Sequence, residues 1–276
     1  MTANIVSQSF EKSFISQPLS RQIALCEHYE LADYFLKHLP AHQPILEAGC
    51  GSGRWVAWFV NHGLSATGLD WSLALCERAR TEISGVRFIQ GDMRQMPFQN
   101  EEFGSIVSLG AVEHSFEGPA LALREYYRVL RPGGVAIITV PFVSPIRFIS
   151  KGTKELAKLL LAWFSPRLRA YQRYKTAHKG RWVTDYLLDD KGEWSFFQYQ
   201  FRAPEMRTCL TDEGFVVVQE FVDFVDEGIL HNFGSIAGKY DTEHGRVQFT
   251  IAGAVLRKLL PAQWVGHMLC YLVSKP

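Results

Sequence analysis

Residues 45–54 read Ile45-Leu46-Glu47-Ala48-Gly49-Cys50-Gly51-Ser52-Gly53-Arg54, a short apolar strand, a glycine turn and the first residue of an amphipathic run, RWVAWFVNHG. Glycines at 49, 51 and 53 let the backbone turn tightly and come close to a ligand. A helix opening directly behind them offers N–H donors that no intrahelical carbonyl uses. The spacing is GxGxG, and Arg54 stands where a GxGxxG dinucleotide fingerprint has its third glycine for helix–strand packing. By itself the turn serves equally as a tight strand-to-helix connection.

Outward from this turn the rhythm repeats. SATGLD (65–70), SLALCERARTEISG (72–85), VRFIQGD (86–92), FGSIVSLG (103–110), ALALREYYRVLRPGG (120–134) and VAIITV (135–140) alternate strand-like with helical segments. Such alternation builds βαβ units, which wind right-handed into a parallel sheet covered on both faces. Gly63 and Gly85 stand where helix C-caps belong, Pro132-Gly133-Gly134 stops the fourth helix, and Ser72 is placed to cap the second. Upstream, residues 18–39 carry apolar residues at helical spacing up to Pro40, which predicts one N-terminal helix. The rhythm breaks after Pro141 and resumes with a helix in FRAPEMRTCLTDEG, a strand in FVVVQEF and a terminal strand in HMLCYLVS. The expected organisation is an N-terminal helical segment (1–43), a ligand-binding core (44–141), a basic and aromatic cap insert (142–200), and a C-terminal part of the core (201–276) with a second insert near 223–265. Inserts of that length in a compact domain are usually lids or binding loops.

Composition agrees with one elaborated globular unit: 276 residues, 47% apolar and 21% charged. This excludes a disordered, collagen-like or disulfide-scaffold chain. No uncharged apolar run reaches the roughly 18 residues of a membrane span, and MTANIVSQSFEKSF lacks the basic and apolar regions of a signal peptide. Cys26, Cys50, Cys76, Cys209 and Cys270 are scattered without a CxxC pair, so neither a zinc site nor a disulfide framework is expected. His38 and His42 are separated by Pro40, and no metal site is read there; GxSxG is absent. The expected compartment is the cytoplasm. The net charge of +1 hides an asymmetry: Arg147 to Trp182 hold ten Lys or Arg against one acid, Glu155. Such a block suits an anionic partner or a solvated basic face.

Ligands of open α/β sheets bind beyond the carboxyl ends of the strands. Three successive strands end in acids there: Glu47, Asp70 and Asp92. Asp70 is spaced to accept bonds from ribose hydroxyls. It could also cap the next helix, but Ser72 is available for that task. Asp92, with the adjoining N–H of Met93, could read the edge of an adenine ring.

ILEAGCGSGR, GLDWS, QGDMRQMPF, SLGAVEH and REYYRVLRPGGVAIITVP together resemble the successive motifs of the class I S-adenosylmethionine-dependent methyltransferases, in particular the broad small-molecule group with an LxPGG signature. The resemblance covers 44–141 closely, and APEMRTCLTDEGFVVV and HMLCYLVSKP more loosely. It implies an α/β, doubly wound, mostly parallel seven-stranded Rossmann-like sheet whose last strand is antiparallel, here with helical cap inserts. It implies S-adenosyl-L-methionine as cofactor and S-adenosyl-L-homocysteine as product. Gly49, Gly51 and Gly53, with Cys50 packed in the same loop, would lie against the methionine part, and Glu47 would help anchor its amino group. Asp70 would hold the ribose and Trp71 pack on the adenine, while Asp92 and the N–H of Met93 would bond the adenine. Leu109 and Gly110 would border the sulfonium. Gly104 departs from the family, where an Asp is frequent, and the missing NPPY or DPPY argues against an adenine or protein-glutamine amino-group methyltransferase.

Transfer from a sulfonium needs alignment and exclusion of water more than it needs acid–base groups. A hydroxyl or acidic carbon acceptor does need a base, and a neutral histidine suits neutral pH. His114, in AVEH beyond the fourth strand, is the histidine so placed; it could instead brace its loop, and Glu113 could be a helix-start acid. In 151–164, Leu156, Leu159, Leu160, Trp163 and Phe164 share one helical face and Lys151, Lys154 and Lys158 the opposite one. Such a helix suits a membrane interface, a lid, or plain packing on the core. Arginines and lysines interleaved with Tyr171, Tyr174 and Trp182 would suit nucleic acid, but the acidic remainder argues against it. A small or lipid-like substrate fits better, with peripheral membrane contact through 147–182. Phe221, Phe224, Phe233, Tyr240 and Phe249 of the second insert suit an aromatic pocket or core. The expected reaction is methyl transfer to oxygen or carbon. The alternatives are an RNA or protein methyltransferase docking through the basic insert, or a cofactor-binding partner protein without turnover. Oligomeric state leaves no trace in the sequence.

Overall fold

The computed structural model describes residues 11, 14–188, 192–242 and 244–276. Of MTANIVSQSFEKSF, the stretch expected to be no signal peptide, all but residues 11 and 14 lie outside them. Two helices, α1 (Leu19–Cys26) and α2 (Glu30–His38), lead into β1 (Ile45–Ala48), α3 (Arg54–Asn61), β2 (Ala66–Asp70), α4 (Leu73–Glu82), β3 (Arg87–Gln90), β4 (Phe103–Leu109), α5 (Ala120–Val129) and β5 (Leu130–Pro141). The first insert contributes α6 (Pro145–Leu161), α7 (Pro166–Ala177), β6 (Val183–Leu188) and β7 (Trp194–Gln200). After α8 (Ala203–Asp212) and β8 (Val216–Asp223) come α9 (Val225–Phe233), β9 (Gly238–Asp241), β10 (Arg246–Phe249), α10 (Ile251–Leu259), α11 (Ala262–Val265) and β11 (Met268–Ser274).

The main sheet has seven strands in the order β3-β2-β1-β4-β5-β11-β8. β1 to β5 pair in parallel, and β11 runs antiparallel to both β5 and β8, with Cys270 opposite Thr139 and Phe221. This is the expected sheet with its antiparallel last strand. Alternate residues of a strand face opposite sides. Leu46, Ala48, Ile106, Ile138 and Val140 therefore pack under Leu123 and Tyr126 of α5. Ile45, Val107 and Ile137 join Phe35 of α2 and Trp55, Trp58 and Phe59 of α3 on the other side. Two buried faces are why these strands carry apolar residues on both sides. The helix caps fall where expected: Ser72 Oγ accepts the Leu75 N–H at 3.2 Å, and Gly63 and Gly85 have positive φ.

Two expectations change. The single helix foreseen over 18–39 is two, because Tyr29 takes extended backbone (φ −87°, ψ 135°) between them. Its ring packs on Trp55 and Phe224, and the bend lets Cys26 and Leu31 enter the same buried cluster. The inserts are not purely helical: β6 pairs antiparallel with β7, and β9 with β10. Residues 183–188 and 194–200 are rich in β-branched and aromatic side chains, which favour a pleated, half-buried surface. In the second insert Phe233 and Phe249 pack on Ile229, Ala237 and Val265, while Phe221 and Phe224 pack on Tyr34 and Tyr29. Those four aromatics are half-buried against the core.

Candidate active site

The C-terminal ends of β1, β2, β3 and β4 open into one cavity of about 650 Å³. Its walls include Gly49, Gly51, Asp70, Trp71, Asp92, Met93, Leu109, Gly110 and His114. Nine residues singled out along more than sixty positions of sequence thus face one space. Glycine is required at the turn: Gly49 has φ +84°, and a Cβ there would lie 2.6 Å from Ala111 Cβ.

Asp70 is buried and accepts N–H bonds from Gly51 at 2.8 Å and Ser72 at 2.9 Å. Burial raises its pKa, and those two N–H groups work against the rise. Asp92 behaves oppositely. The Arg94 guanidinium grips both its oxygens, at 3.1 and 3.0 Å from Nε and 2.7 Å from the terminal nitrogen, and lowers its pKa. Arg94 also reaches Glu117 at 3.2 Å, so one cation ties together two acids on the cavity rim.

Three other residues of the glycine-turn set lie outside the cavity walls. Glu47 is buried and accepts the Val56 N–H at 3.0 Å, which anchors the first turn of α3. Burial pushes its pKa up to about 8, with Arg54 pulling the other way. Cys50 packs among Val56, Ala79 and Phe88, and a Cβ on Gly53 would strike the Phe88 ring at 2.7 Å. These residues shape the turn from behind, through the start of α3 and the packing on Phe88.

Beyond β4, Gly110 donates to Thr139 O and Oγ1, both at 3.1 Å, and the chain enters a single turn, Val112–His114. His114 Nδ1 lies 2.9 Å from the Phe197 carbonyl of β7. Burial holds the ring below its ordinary pKa, against the pull of the Phe197 and Gly110 carbonyls. Glu113 beside it is 1% exposed, and its pKa is pushed up to about 8 by burial. Its Oε1 lies 3.9 Å from His114 Nε2, and its Oε2 has no hydrogen-bond partner among the described residues.

Sequence reasoning missed the rest of the lining: Phe14, Phe116, Tyr174, His178 and Phe196, from the N-terminal segment, the loop after β4, α7 with its C-cap, and β7. Tyr174 and His178 are stacked at 4.1 Å, one helical turn apart. Their i, i+4 spacing within the basic stretch was the available signal. Among the described residues no cluster of His, Cys, Asp or Glu could hold a metal ion.

Residues 46–138 match the family model described as "Methyltransferase domain". The chain is 29% identical over 166 residues to malonyl-[acyl-carrier protein] O-methyltransferase of Pectobacterium atrosepticum, covering 58% of this chain and 61% of that one. It is 30% identical over 186 residues to phthiotriol/phenolphthiotriol dimycocerosates methyltransferase 1 of Mycobacterium ulcerans, covering 57% and 66%. The chain therefore spans less than two-thirds of the length of these curated relatives. Among solved structures, an S-adenosylmethionine-dependent methyltransferase from Methanosarcina mazei superposes with a TM-score of 0.58 at 18% identity, over 88% of this chain and 96% of that one.

Proposed function

This chain belongs to the class I S-adenosylmethionine-dependent methyltransferases, and from that premise we propose that its cavity holds the methyl donor on the strand-end side and a small or lipid-like acceptor on the aromatic side. The observation that carries the reading is the mixed lining of one cavity, which brings the strand-end residues Asp70, Asp92, Gly49 and Gly51 together with the aromatic Phe116, Tyr174 and Phe196. S-adenosylmethionine, when bound, supplies a methyl group on a sulfonium that an aligned nucleophile displaces in line.

The residues present fit that cofactor. A carboxylate has about four lone-pair sites, and Asp70 spends two on the Gly51 and Ser72 N–H groups, which leaves capacity for ribose hydroxyls. A Cβ on Gly110 would meet only Glu113 Oε1 at 3.4 Å and Met268 Cε at 3.7 Å, so the floor beside the reacting carbon is open. We assign the adenine edge to the Met93 N–H and to Asp92, whose oxygens also keep Arg94, and the adenine face to Trp71. Glu47 we assign to holding the start of α3 behind the glycine turn.

The acceptors named for the two relatives, a malonyl group on a carrier protein and a phthiotriol, support a small or lipid-like acceptor here. Transfer is to oxygen or carbon, and His114 takes the acceptor's proton. In the tautomer assigned from its surroundings, Nδ1–H donates to the Phe197 carbonyl. A ring held below its usual pKa is neutral at pH 7, as a base must be.

Thermal shift with S-adenosylmethionine, S-adenosylhomocysteine, NAD and NADP tests the donor side. A ligand at 100 times its Kd stabilises by about 2.7 kcal/mol, and only the two adenosyl compounds should do so. A shift with a nicotinamide cofactor, or with none, would end the reading. Transfer of labelled methyl to lipid, carrier-thioester and RNA pools then identifies the acceptor. His114→Ala should lower turnover and remove the acid limb of its pH profile, while S-adenosylhomocysteine affinity stays the same. An unchanged rate would reduce His114 to a brace between β7 and its own loop.

A further inference from the structure

Helix α6 is inside out. Its polar stripe faces the protein: Arg147 is buried, Lys151 donates to Asp185 at 2.6 Å, and Glu155 accepts from Lys158 at 2.7 Å and Tyr171 at 2.8 Å. Lys175 of α7 also pairs with Glu155. The opposite stripe, Ile149, Leu156, Leu159 and Leu160, points into solvent, and Trp163 and Phe164 after the helix are each 82% exposed. A water-soluble surface helix does the reverse, because exposing apolar area costs about 25 cal/mol per Å². Contiguous apolar exposure of this kind marks a surface that meets something apolar.

Charge selects the occupant. Lys154, Arg167, Arg173 and Lys179 are exposed on the same helical hairpin, within a stretch, 147–182, that has ten basic residues and one acid. A second copy seated on this face by two-fold symmetry would bring two such stretches together, and like charges in contact disfavour pairing. An anionic lipid surface satisfies both features, since apolar side chains enter the acyl boundary while cations meet headgroups. Among the described residues no helix is long and apolar enough to cross a membrane, so the hairpin would lie along the interface.

We propose that the α6–α7 hairpin is a membrane-docking element that seats Ile149, Leu156, Leu159, Leu160, Trp163 and Phe164 in the boundary of an anionic bilayer. The inner side of the same hairpin gives Tyr174 and His178 to the cavity wall. Docking therefore places the aromatic side of the cavity next to the lipid phase. The proposal does not depend on which acceptor is methylated.

Co-sedimentation of the full chain with phosphatidylcholine vesicles, with and without phosphatidylglycerol, tests it. Binding to the anionic vesicles is expected to be at least about ten-fold tighter than to the neutral ones, and to weaken as salt shortens the Debye length. The double variant Trp163→Ser/Phe164→Ser should lose about ten-fold or more in partitioning, with an unchanged melting temperature as control. Arg167→Glu/Arg173→Glu should lower binding to the anionic vesicles alone. Three results would each overturn the proposal: no binding to anionic vesicles, equal partitioning of wild type and the Trp163/Phe164 variant, or a solution dimer that this variant dissolves.

Discussion

Residues 44–141 and the α6–α7 hairpin obey opposite rules of exposure. In the core, β1, β4 and β5 turn alternate apolar residues into one of two buried clusters, β3 puts Phe88 into a third, and α3 buries Trp55, Trp58 and Phe59. In the hairpin, a helix of equal amphipathicity buries Arg147 and half-buries Lys151 and Glu155, while its leucines face outward. Core burial is complete within the chain. The hairpin's polar contacts hold it to the protein, and its apolar stripe is left for another phase. A helix's amphipathic pattern thus shows that it has two faces, and the partner decides which one turns inward.

The contrast can be broken from either side. Trp58→Ala in α3 removes a side chain that is 1% exposed, and should cost about 3–5 kcal/mol in urea unfolding. A loss as small as that of a surface change would mean the core face is not closed. A buried acid gives the next largest effect. Glu113 binds its proton better folded than unfolded, since its pKa rises from 4.5 to about 8. The stability this protonation provides is full below the unfolded pKa and is lost as pH climbs through the folded one. Glu113→Gln keeps a neutral group there, so it should gain on wild type between those two values, by up to a few kcal/mol. Urea midpoints on either side of that window measure the gain, and a constant difference would contradict a neutral buried Glu113. Asp70→Ala should weaken S-adenosylhomocysteine binding by about 1–3 kcal/mol in titration calorimetry, and an unchanged affinity would move the ribose elsewhere. The smallest effect belongs to the hairpin: Leu160→Lys should stay within about 0.5 kcal/mol of wild type in solution. A core-sized loss would show that its stripe is packed after all.

Much of the core was legible because each local signal agreed with the fold. Ser72, Gly63 and Gly85 mark the helix ends, and β1, β4 and β5 are predominantly apolar. The acids and glycines at strand ends follow from the same logic, since a parallel sheet gathers those ends at one edge. Glu47, Cys50 and Gly53 share the motif with Gly49 and Gly51, yet Glu47 bonds the Val56 N–H while Cys50 and Gly53 lie against Phe88. Phe14, Tyr174, His178 and Phe196 were not legible as cavity residues. Tyr174, His178 and Phe196 reach it through the packing of α7 and β7, and Phe14 through the N-terminal segment lying against Gly51, which no local periodicity encodes. The break at Tyr29 was hidden for a similar reason: its ring is held by Trp55 and Phe224, both distant in sequence.

β11 lies between β5 and β8, although residues 142–267 separate it from β5 in the chain. During synthesis, β5 therefore leaves the ribosome with one flank unpaired, and it stays so until 268–274 emerge. β8 has no neighbour in the main sheet at all before then. An unpaired strand carrying Ile137, Ile138 and Val140 is a template for pairing with other chains. The order of the strands thus makes the completed main sheet wait for β11, whatever else has already folded.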